Sequence, residues 1–186
     1  MTVDEAEAYH SKHMAILADA GVAHVTIKTL IYVEEAIGAV RAAKKIGIPI
    51  VVSFTTETDG TLPSGQKLGD AIQEVDKETD GYPVCFMINC AHPTHIMGAF
   101  KEGEGQPWLA RLHYLNCNGS KKSHAELNDC DELDIGDPEE FGRLNVELKR
   151  INPAIHIFGG CCGTDKRHIE ATFKALREAK MLPHDQ

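Results

Sequence analysis

Short apolar runs alternate with helix-like patterns along the whole chain. The runs are rich in β-branched residues and predict five strands, over Val22–Ile27, Ile48–Phe54, Val84–Asn89, Trp108–Leu115 and Ala154–Phe158. Apolar residues at helical spacing predict six helices, around Glu5–Ala20, Glu34–Ile46, Leu68–Val75, Thr94–Lys101, Asp137–Ile151 and Asp165–Lys180. This order is expected of βα units around a parallel sheet.

Local chemistry marks several of these boundaries. Gly21 and Gly47 follow the first two helices, as C-terminal glycines do. Asp137-Pro138 predicts a helix start, because Asp caps free N–H groups and Pro suits the first helical position. In the last helix, Phe173 is expected to face inward with its apolar neighbours.

Two long polar loops follow predicted strands, at Thr55–Gly69 and Asn116–Asp137. Functional groups of α/β folds lie at that end of the strands. The strands fit either an open doubly wound sheet or part of a (β/α)8 barrel. The GxGxxG and GxxxxGK[ST] motifs of nucleotide-binding sheets are missing from the sequence. A barrel normally needs about 200 residues or more, so five units leave it roughly three short.

Composition narrows the class of protein. Of the 186 residues, 42% are hydrophobic and 25% charged, which excludes disordered, collagen-like and coiled-coil chains. The net charge of -9, with no basic cluster longer than the Lys121-Lys122 pair, argues against nucleic acid as a partner. The acidic start does not resemble a signal peptide and no apolar run is long enough for a membrane span, so we expect a cytoplasmic protein.

Six cysteines in a reducing compartment are expected to be free, metal-bound or catalytic. Cys161 and Cys162 are adjacent in Gly-Gly-Cys-Cys-Gly-Thr, after the last strand, where flanking glycines allow both sulfurs to converge on one soft metal ion. The alternative is that both are small buried hydrophobic residues.

Cys90 follows an earlier strand, in Asn-Cys-Ala-His-Pro. In a parallel barrel it would face the same end as the cysteine pair, so three thiolates could meet there. Alone, Cys90 is equally explained as a core residue, and His92 and His95 as surface or supporting residues. We treat Cys85, Cys117 and Cys130 as structural.

Four segments, in this order, resemble the zinc-dependent homocysteine S-methyltransferase family. They are Val22–Thr29, Ser-Phe-Thr-Thr-Glu-Thr-Asp-Gly-Thr-Leu-Pro-Ser-Gly, Met-Ile-Asn-Cys-Ala-His-Pro-Thr-His-Ile and Gly-Gly-Cys-Cys-Gly-Thr-Asp-Lys-Arg-His-Ile. The resemblance extends from Tyr9 to Leu176. It implies an α/β fold, a partial (β/α)8 TIM barrel with about five parallel strands and flanking helices.

The resemblance also implies a chemistry. Zn2+ would be held by Cys90, Cys161 and Cys162, with no other catalytic residue, and the thiol of homocysteine would receive a methyl group to form methionine. A related thiol or selenol is a possible acceptor. Methyl donors in the family are S-methylmethionine, S-adenosylmethionine, betaine and methyl-cobalamin.

The substrate contacts depart from the family pattern. Family members carry Glu-Thr where this chain has Lys28-Thr29, and that Glu holds the amino group of homocysteine. Either the substrate is held differently, or Lys28 binds its carboxylate, or the site is degenerate. Asn118 is expected to contact the amino acid, its alternative being a plain turn residue. Phe54 and Thr55 are positioned either to line the pocket or to pack.

The family's first strands have no counterpart, so residues 1–186 are interpreted as one homocysteine-binding-like domain that lacks the N-terminal strands of the barrel. Open strand edges predict a homo-oligomer or a partner chain that supplies the missing strands. The alternative function is a non-catalytic zinc-binding fragment or partner subunit of a split methyltransferase barrel. A metal hydrolase is disfavoured, because no His-x-His ligand pair is found.

Overall fold

The computed structural model describes residues 1–182 as one parallel sheet flanked by helices. The strands are β1 Val25–Leu30, β2 Ile50–Phe54, β3 Cys85–Asn89, β4 Leu112–Cys117 and β5 Ile157–Gly160. The α-helices are α1 Val3–Asp19, α2 Val33–Ile46, α3 Leu68–Thr79, α4 Pro93–Glu102, α5 His124–Asn128, α6 Pro138–Ile151 and α7 Lys166–Glu178. A short 3-10 helix, Leu109–Arg111, precedes β4.

The strands lie in the sheet in chain order, β1-β2-β3-β4-β5, and each neighbouring pair is parallel. A doubly wound sheet reverses its strand order at a switch point. This sheet has no reversal, so its order is that of successive strands in a (β/α)8 barrel. The prediction of a partial barrel is confirmed, and the open doubly wound alternative is wrong.

The two faces of the sheet have different surroundings. Alternate residues such as Val52, Phe54 and Phe86 share one continuous core with the helices. The residues between them, Val51, Cys85 and Met87, form a separate small cluster that contains no helix residue. The helices therefore cover one face, here called the outer face, and leave the other, the inner face, to the strands alone.

Several helix starts follow the predicted chemistry. The Asp137 side chain accepts hydrogen bonds from the N–H groups of Glu139 and Glu140 at the start of α6, as predicted. His92 caps α4 by accepting from Thr94 N through Nδ1, at 3.2 Å, and Pro93 occupies the first helical position. Both helices start beside a strand end, which brings their positive N-terminal ends toward that edge of the sheet.

Several features differ from the sequence prediction, including the last strand, which is Ile157–Gly160 rather than Ala154–Phe158. The first strand begins at Val25 rather than Val22, because Gly21 turns the chain in a left-handed conformation and the next three residues stay exposed. The fourth begins at Leu112 rather than Trp108. The loop predicted over Asn116–Asp137 contains α5, and Phe173 is 38% exposed rather than turned inward.

Within residues 1–182, β1 and β5 each have only one neighbouring strand, so both outer edges of the sheet are open. The inner face also carries exposed residues, among them Thr26 and Lys28 on β1 and Ile157 on β5. In the same part of the chain, no helix has the length and apolar character needed to cross a membrane.

Candidate metal centre

Three cysteine side chains meet at the carboxyl ends of the strands. Cys90 directly follows β3, whereas Cys161 and Cys162 follow β5. Their sulfur atoms all lie within 4.8 Å of one another, and Cys90 and Cys161 are partly buried while Cys162 is exposed. The structure therefore brings together the three residues that the sequence had nominated from separate motifs, 71 and 72 positions apart.

Cys90 has an unusual backbone conformation. Its φ is 57°, in the left-handed region that costs a non-glycine residue about 1–2 kcal/mol. Hydrogen bonds compensate: Cys90 N donates to Asn116 O (3.2 Å), and Asn118 Nδ2 donates to Cys90 O (3.0 Å). The strand therefore ends in a fixed turn that directs Sγ toward the other two cysteines.

The buried amide of Asn89 supports this turn from the inner face. Its Oδ1 accepts from Thr29 N (2.9 Å) and Ser53 Oγ (2.5 Å), and its Nδ2 donates to Thr29 Oγ1 (2.8 Å) and Cys90 Sγ (3.1 Å). Thr29 also has a positive φ, 62°, where the β1–β2 register is irregular. The Asn89 side chain thus pairs with the polar groups of Thr29 at a bulge in β1 and also donates a hydrogen bond to the Cys90 sulfur.

Backbone contacts fix the turn that carries the cysteine pair. Cys161 N donates to Cys117 O (2.8 Å), and Gly119 N donates to Cys162 O (2.9 Å). Asn118 Oδ1 accepts from Cys162 N (3.1 Å) while the same side chain holds Cys90 O. Gly163 allows the turn to close, because its φ is 74° and a side chain would meet Asp134 O. Asn118 therefore links the two cysteine loops.

The three thiol groups differ in pKa. Cys90 Sγ and Cys161 Sγ lie 2.7 Å apart. The hydrogen bond that Cys161 accepts from Cys90 lowers the pKa of Cys161 to about 5 and raises that of Cys90. Burial, and then the nearby charge on Cys161, raise the pKa of Cys162. A cation would relieve this repulsion and allow all three to ionise.

A cavity of about 540 Å³ opens beside the cysteines. Strand ends form one side, and the segment after β4 forms the opposite wall with Leu127, Cys130 and Leu133. The remaining lining residues are Thr29, Ile31, Thr55, Pro63, Cys90, Asn118, His124, Asn128, Asp131, Glu132, Asp134 and Cys162. The space has the size of a small-molecule site and combines apolar and acidic groups.

The other nominated residues lie in three places: the cavity lining, the core and the inner face of β1. Asn118 and Thr55 line the cavity, whereas Phe54 is fully buried and stacks on Phe86 at a ring separation of 6.3 Å. Lys28 lies on the inner face of β1 and is exposed. With the Asn116 amide oriented to satisfy both groups, Lys28 Nζ donates to Asn116 Oδ1 at 3.1 Å.

Both histidines after Cys90 have supporting contacts. His92 caps α4, and burial lowers its pKa to about 4. The ring of His95 is hydrogen-bonded through Nε2 to Lys121 O (2.9 Å). Neither ring belongs to the sulfur cluster found among residues 1–182, so the interpretation of both as supporting residues agrees with their positions.

Sequence reasoning missed two contributors to the site. The sequence indicates Asn89 only as the neighbour of Cys90, although its contacts reach back 60 residues to Thr29. No motif in the sequence indicates His124, whose Nε2 lies 2.7 Å from Cys90 O and 3.5 Å from Thr55 Oγ1, and whose Nδ1 lies 3.5 Å from Glu57 Oε1. Its one sequence signal was its place in a polar loop after a strand.

Comparison with known proteins gives the same family throughout. The family model "Homocysteine S-methyltransferase" matches residues 1–176. Homocysteine S-methyltransferase 1 of Arabidopsis thaliana is 24% identical over 182 residues, covering 95% of this chain and 53% of that protein. Homocysteine S-methyltransferase 4 of Zea mays is 27% identical over 188 residues, covering 97% and 52%. The chain spans about half the length of the curated relatives it matches.

The solved structures support the fold. The apo form of the homocysteine methyltransferase MmuM from Escherichia coli superposes with a TM-score of 0.66 at 21% identity, covering 94% of this chain and 58% of that one. Its metallated form gives 0.65 at 21% identity, covering 92% and 51%. The match of the family model over residues 1–176 shows that the chain belongs to the homocysteine S-methyltransferase family.

Proposed function

We propose that this chain supplies the zinc-binding end of a methyltransferase barrel that transfers a methyl group to the thiol of homocysteine. The observation that carries the proposal is the convergence of three cysteine sulfurs within 4.8 Å beside a cavity of ligand size. Family membership supplies the reaction class. A reducing, cytoplasmic location, in which thiols stay available to bind metal, is part of the proposal.

The donor set fits zinc. Sulfurs about 2.3 Å from a tetrahedral zinc ion lie about 3.8 Å from one another, a spacing within the span of the cluster. Three protein thiolates leave one position for an external ligand, as in catalytic rather than structural sites. When bound, zinc would supply a Lewis acid that favours the thiolate form of homocysteine.

Residues around the three cysteines would keep their sulfurs in position to bind the metal. Asn89 donates to Cys90 Sγ and so stabilises its thiolate form, and the low pKa of Cys161 makes it the first cysteine to ionise. Asn118 keeps the two cysteine loops at a constant separation. Since Asn118 also lines the cavity, we propose that it faces the amino-acid part of the substrate.

Lys28 is the second proposed substrate contact. It shares the inner face with the Asn89 network, and its ammonium group is exposed and held by one neutral amide. Such a cation is free to exchange that contact for the carboxylate of an amino acid. Its position on β1, next to the Thr29 bulge, places it at the end of the strand nearest the cysteines.

The zinc site is tested by metal content. We expect one zinc per wild-type chain by elemental analysis, and loss of most of it in Cys161→Ala because two thiolates remain. Cys130→Ser is the matched control, since it removes a thiol from the cavity wall without touching the cluster. Full zinc retention by Cys161→Ala would show the assignment to be wrong. Calorimetric titration with homocysteine then tests the substrate.

The open inner face favours a second candidate, a non-catalytic zinc-binding fragment or a partner subunit of a split barrel. Ile157 is 42% exposed there, and both sheet edges are unpaired within residues 1–182. Zinc and homocysteine binding without methyl transfer by the isolated chain would favour it. Sedimentation at micromolar concentration is expected to show association that Ile157→Asp weakens, while Val84→Asp, also at an exposed apolar residue, leaves it unchanged. A monomeric wild-type chain would contradict this.

A further inference from the structure

The ring of His124 joins a cavity wall to a proposed zinc ligand. Its Nε2 lies 2.7 Å from Cys90 O. Because a carbonyl only accepts, this nitrogen carries the proton and donates. Cys90 O then accepts two side-chain hydrogen bonds, from His124 and from Asn118. Both donors follow β4, although Cys90 follows β3.

Two further groups surround the same ring. Thr55 Oγ1 lies 3.5 Å from Nε2, and Glu57 Oε1 lies 3.5 Å from Nδ1. Thr55 and Glu57 both follow β2. The loops after three consecutive strands therefore meet at His124. No other side chain described above contacts all three.

Residues 123–134, the cavity wall that contains His124, make few buried apolar contacts. None of the residues of α5 is buried. Residues 123–134 are held to the rest of the protein by polar contacts, including the hydrogen bond from Ser120 Oγ to Asp134 Oδ2 (2.7 Å). Segments with few buried contacts open at low free-energy cost. The position of this wall thus depends on its polar tethers, and His124 ties it directly to Cys90.

We propose that His124 is a positioning residue that couples residues 123–134 to the Cys90 turn, so that metal binding by the thiols and closure of the cavity wall favour one another. The inference rests on the proposed zinc site. Its physical basis is shared geometry: the hydrogen bond exists only when the Cys90 carbonyl points to the cavity and the wall is closed. Metal that further restricts the Cys90 turn therefore also restricts the wall, and by reciprocity a closed wall strengthens metal binding.

The experiment compares wild type, His124→Ala and His124→Gln by zinc affinity in chelator competition. Partners that orient metal ligands typically change affinity by about 10–100-fold, so we expect His124→Ala to bind zinc at least about tenfold more weakly. Gln retains an N–H donor at a similar reach and is expected to recover most of the loss. His113→Ala is the matched control, because His113 donates to a single carbonyl, Ala110 O, near the start of β4.

Trypsin gives a readout that a merely structural role would not move. Lys121 and Lys122 directly precede the wall. We expect zinc to slow cleavage there in wild type and in His124→Gln, but not in His124→Ala loaded with saturating zinc. Cys161→Ala with the same zinc controls for effects on the protease. Thermal unfolding of the metal-free proteins checks that the variants fold.

The outcomes separate the two proposals. A wild-type chain that binds no zinc overturns the proposed zinc site, and the coupling falls with it. Wild-type zinc binding that is matched in affinity and protection by His124→Ala overturns the coupling alone. Loss of affinity and protection in His124→Ala, recovered in His124→Gln, supports it.

Discussion

The two faces of the sheet are made of alternate residues of the same five strands, yet they differ in burial and in function. On the outer face, Phe54, Phe86 and Leu115 are fully buried against helices. On the inner face, the buried cluster is limited to three residues with Tyr114 beside it, while Lys28 and others remain exposed. Folding stability is therefore concentrated on the outer face, and the chemistry lies where the inner face meets the strand ends.

This division explains how a half-open sheet holds a defined site. The cysteine turns are fixed by contacts among neighbouring loops, such as Asn118 between Cys90 and Cys162, rather than by closure of a barrel. The helices hold the strands that carry those loops. We therefore expect outer-face substitutions to act on stability and inner-face substitutions to act mainly on binding.

The largest expected effect is on the outer face. Phe86→Ala removes a fully buried ring that stacks on Phe54 and lies 5.5 Å from the Arg111 guanidinium, and should cost about 3–5 kcal/mol of unfolding free energy. Phe173→Ala is the matched control on α7, and because Phe173 is 38% exposed we expect less than about half of that cost. Urea denaturation measures both. Equal costs would contradict the distinction.

Two adjacent valines of β2 compare the faces directly. Val52, on the outer face, and Val51, on the inner face, are both almost fully buried. Val52→Ala leaves a cavity among helices and strands and should cost about 2–3 kcal/mol, whereas Val51→Ala should cost about half as much, because its small cluster can relax. The same denaturation experiment measures the difference. A larger loss from Val51→Ala would show that the inner face is covered in solution.

The outer face was also the part that sequence predicted best. The strands around Val52 and Ile88 were identified because buried parallel strands form continuous apolar runs. The first strand was placed three residues early, because Val22 is β-branched but exposed, while the polar Lys28 and Thr29 extend the strand on its inner side. A hydrophobicity pattern does not identify a strand residue whose polar side chain lies on an open inner face.

The sequence predicts which three cysteines meet at the candidate site, but not the residues that support them. Three cysteines at strand ends suffice to nominate a metal cluster, since parallel strands end at one edge. The amide of Asn89 contacts Thr29 across 60 positions, and His124 contacts Cys90 across 34. Such contacts depend on the rotation of single side chains after the strands have paired, and no local pattern in the chain encodes them.

On the inner face, Lys28→Glu tests the substrate contact. If Lys28 binds the carboxylate of homocysteine, as proposed, the variant should bind homocysteine several-fold more weakly, in line with the roughly 0.2–1 kcal/mol of an exposed ion pair. Lys12→Glu on α1 carries the same charge change away from the site and should have no effect. Calorimetric titration of the zinc-loaded proteins with homocysteine measures both variants. If homocysteine binds only to a completed barrel, the partner strands are added to every sample. Tighter binding by the Glu variant would contradict this contact and indicate that the homocysteine amino group requires a carboxylate there.

The smallest expected effect concerns the junction between the cysteine turn and the helix cover. Asp165 follows the Cys161-Cys162 turn and caps α7, accepting from Arg167 N at 2.9 Å. Hydrogen bonds from the Arg167 side chain, and then from its backbone N–H, hold the pKa of Asp165 well below its usual value of 3.8. The native carboxylate therefore binds protons less readily than the unfolded one.

Its contribution to stability is present above pH about 4 and is lost as the pH falls below that value, because the unfolded state then takes up more protons. Asp165→Asn keeps an oxygen that accepts from the helix N–H but removes the charge, so wild type should be slightly more stable at pH 7 and the difference should shrink at pH 3. Asp137→Asn on α6 is the control, since Asp137 caps through backbone N–H groups alone. Urea denaturation of all three proteins at both pH values measures this. If the difference in unfolding free energy between wild type and Asp165→Asn stays constant with pH, the cap acts by hydrogen bonding alone. The carboxylate charge would then contribute nothing to holding the cysteine turn against α7.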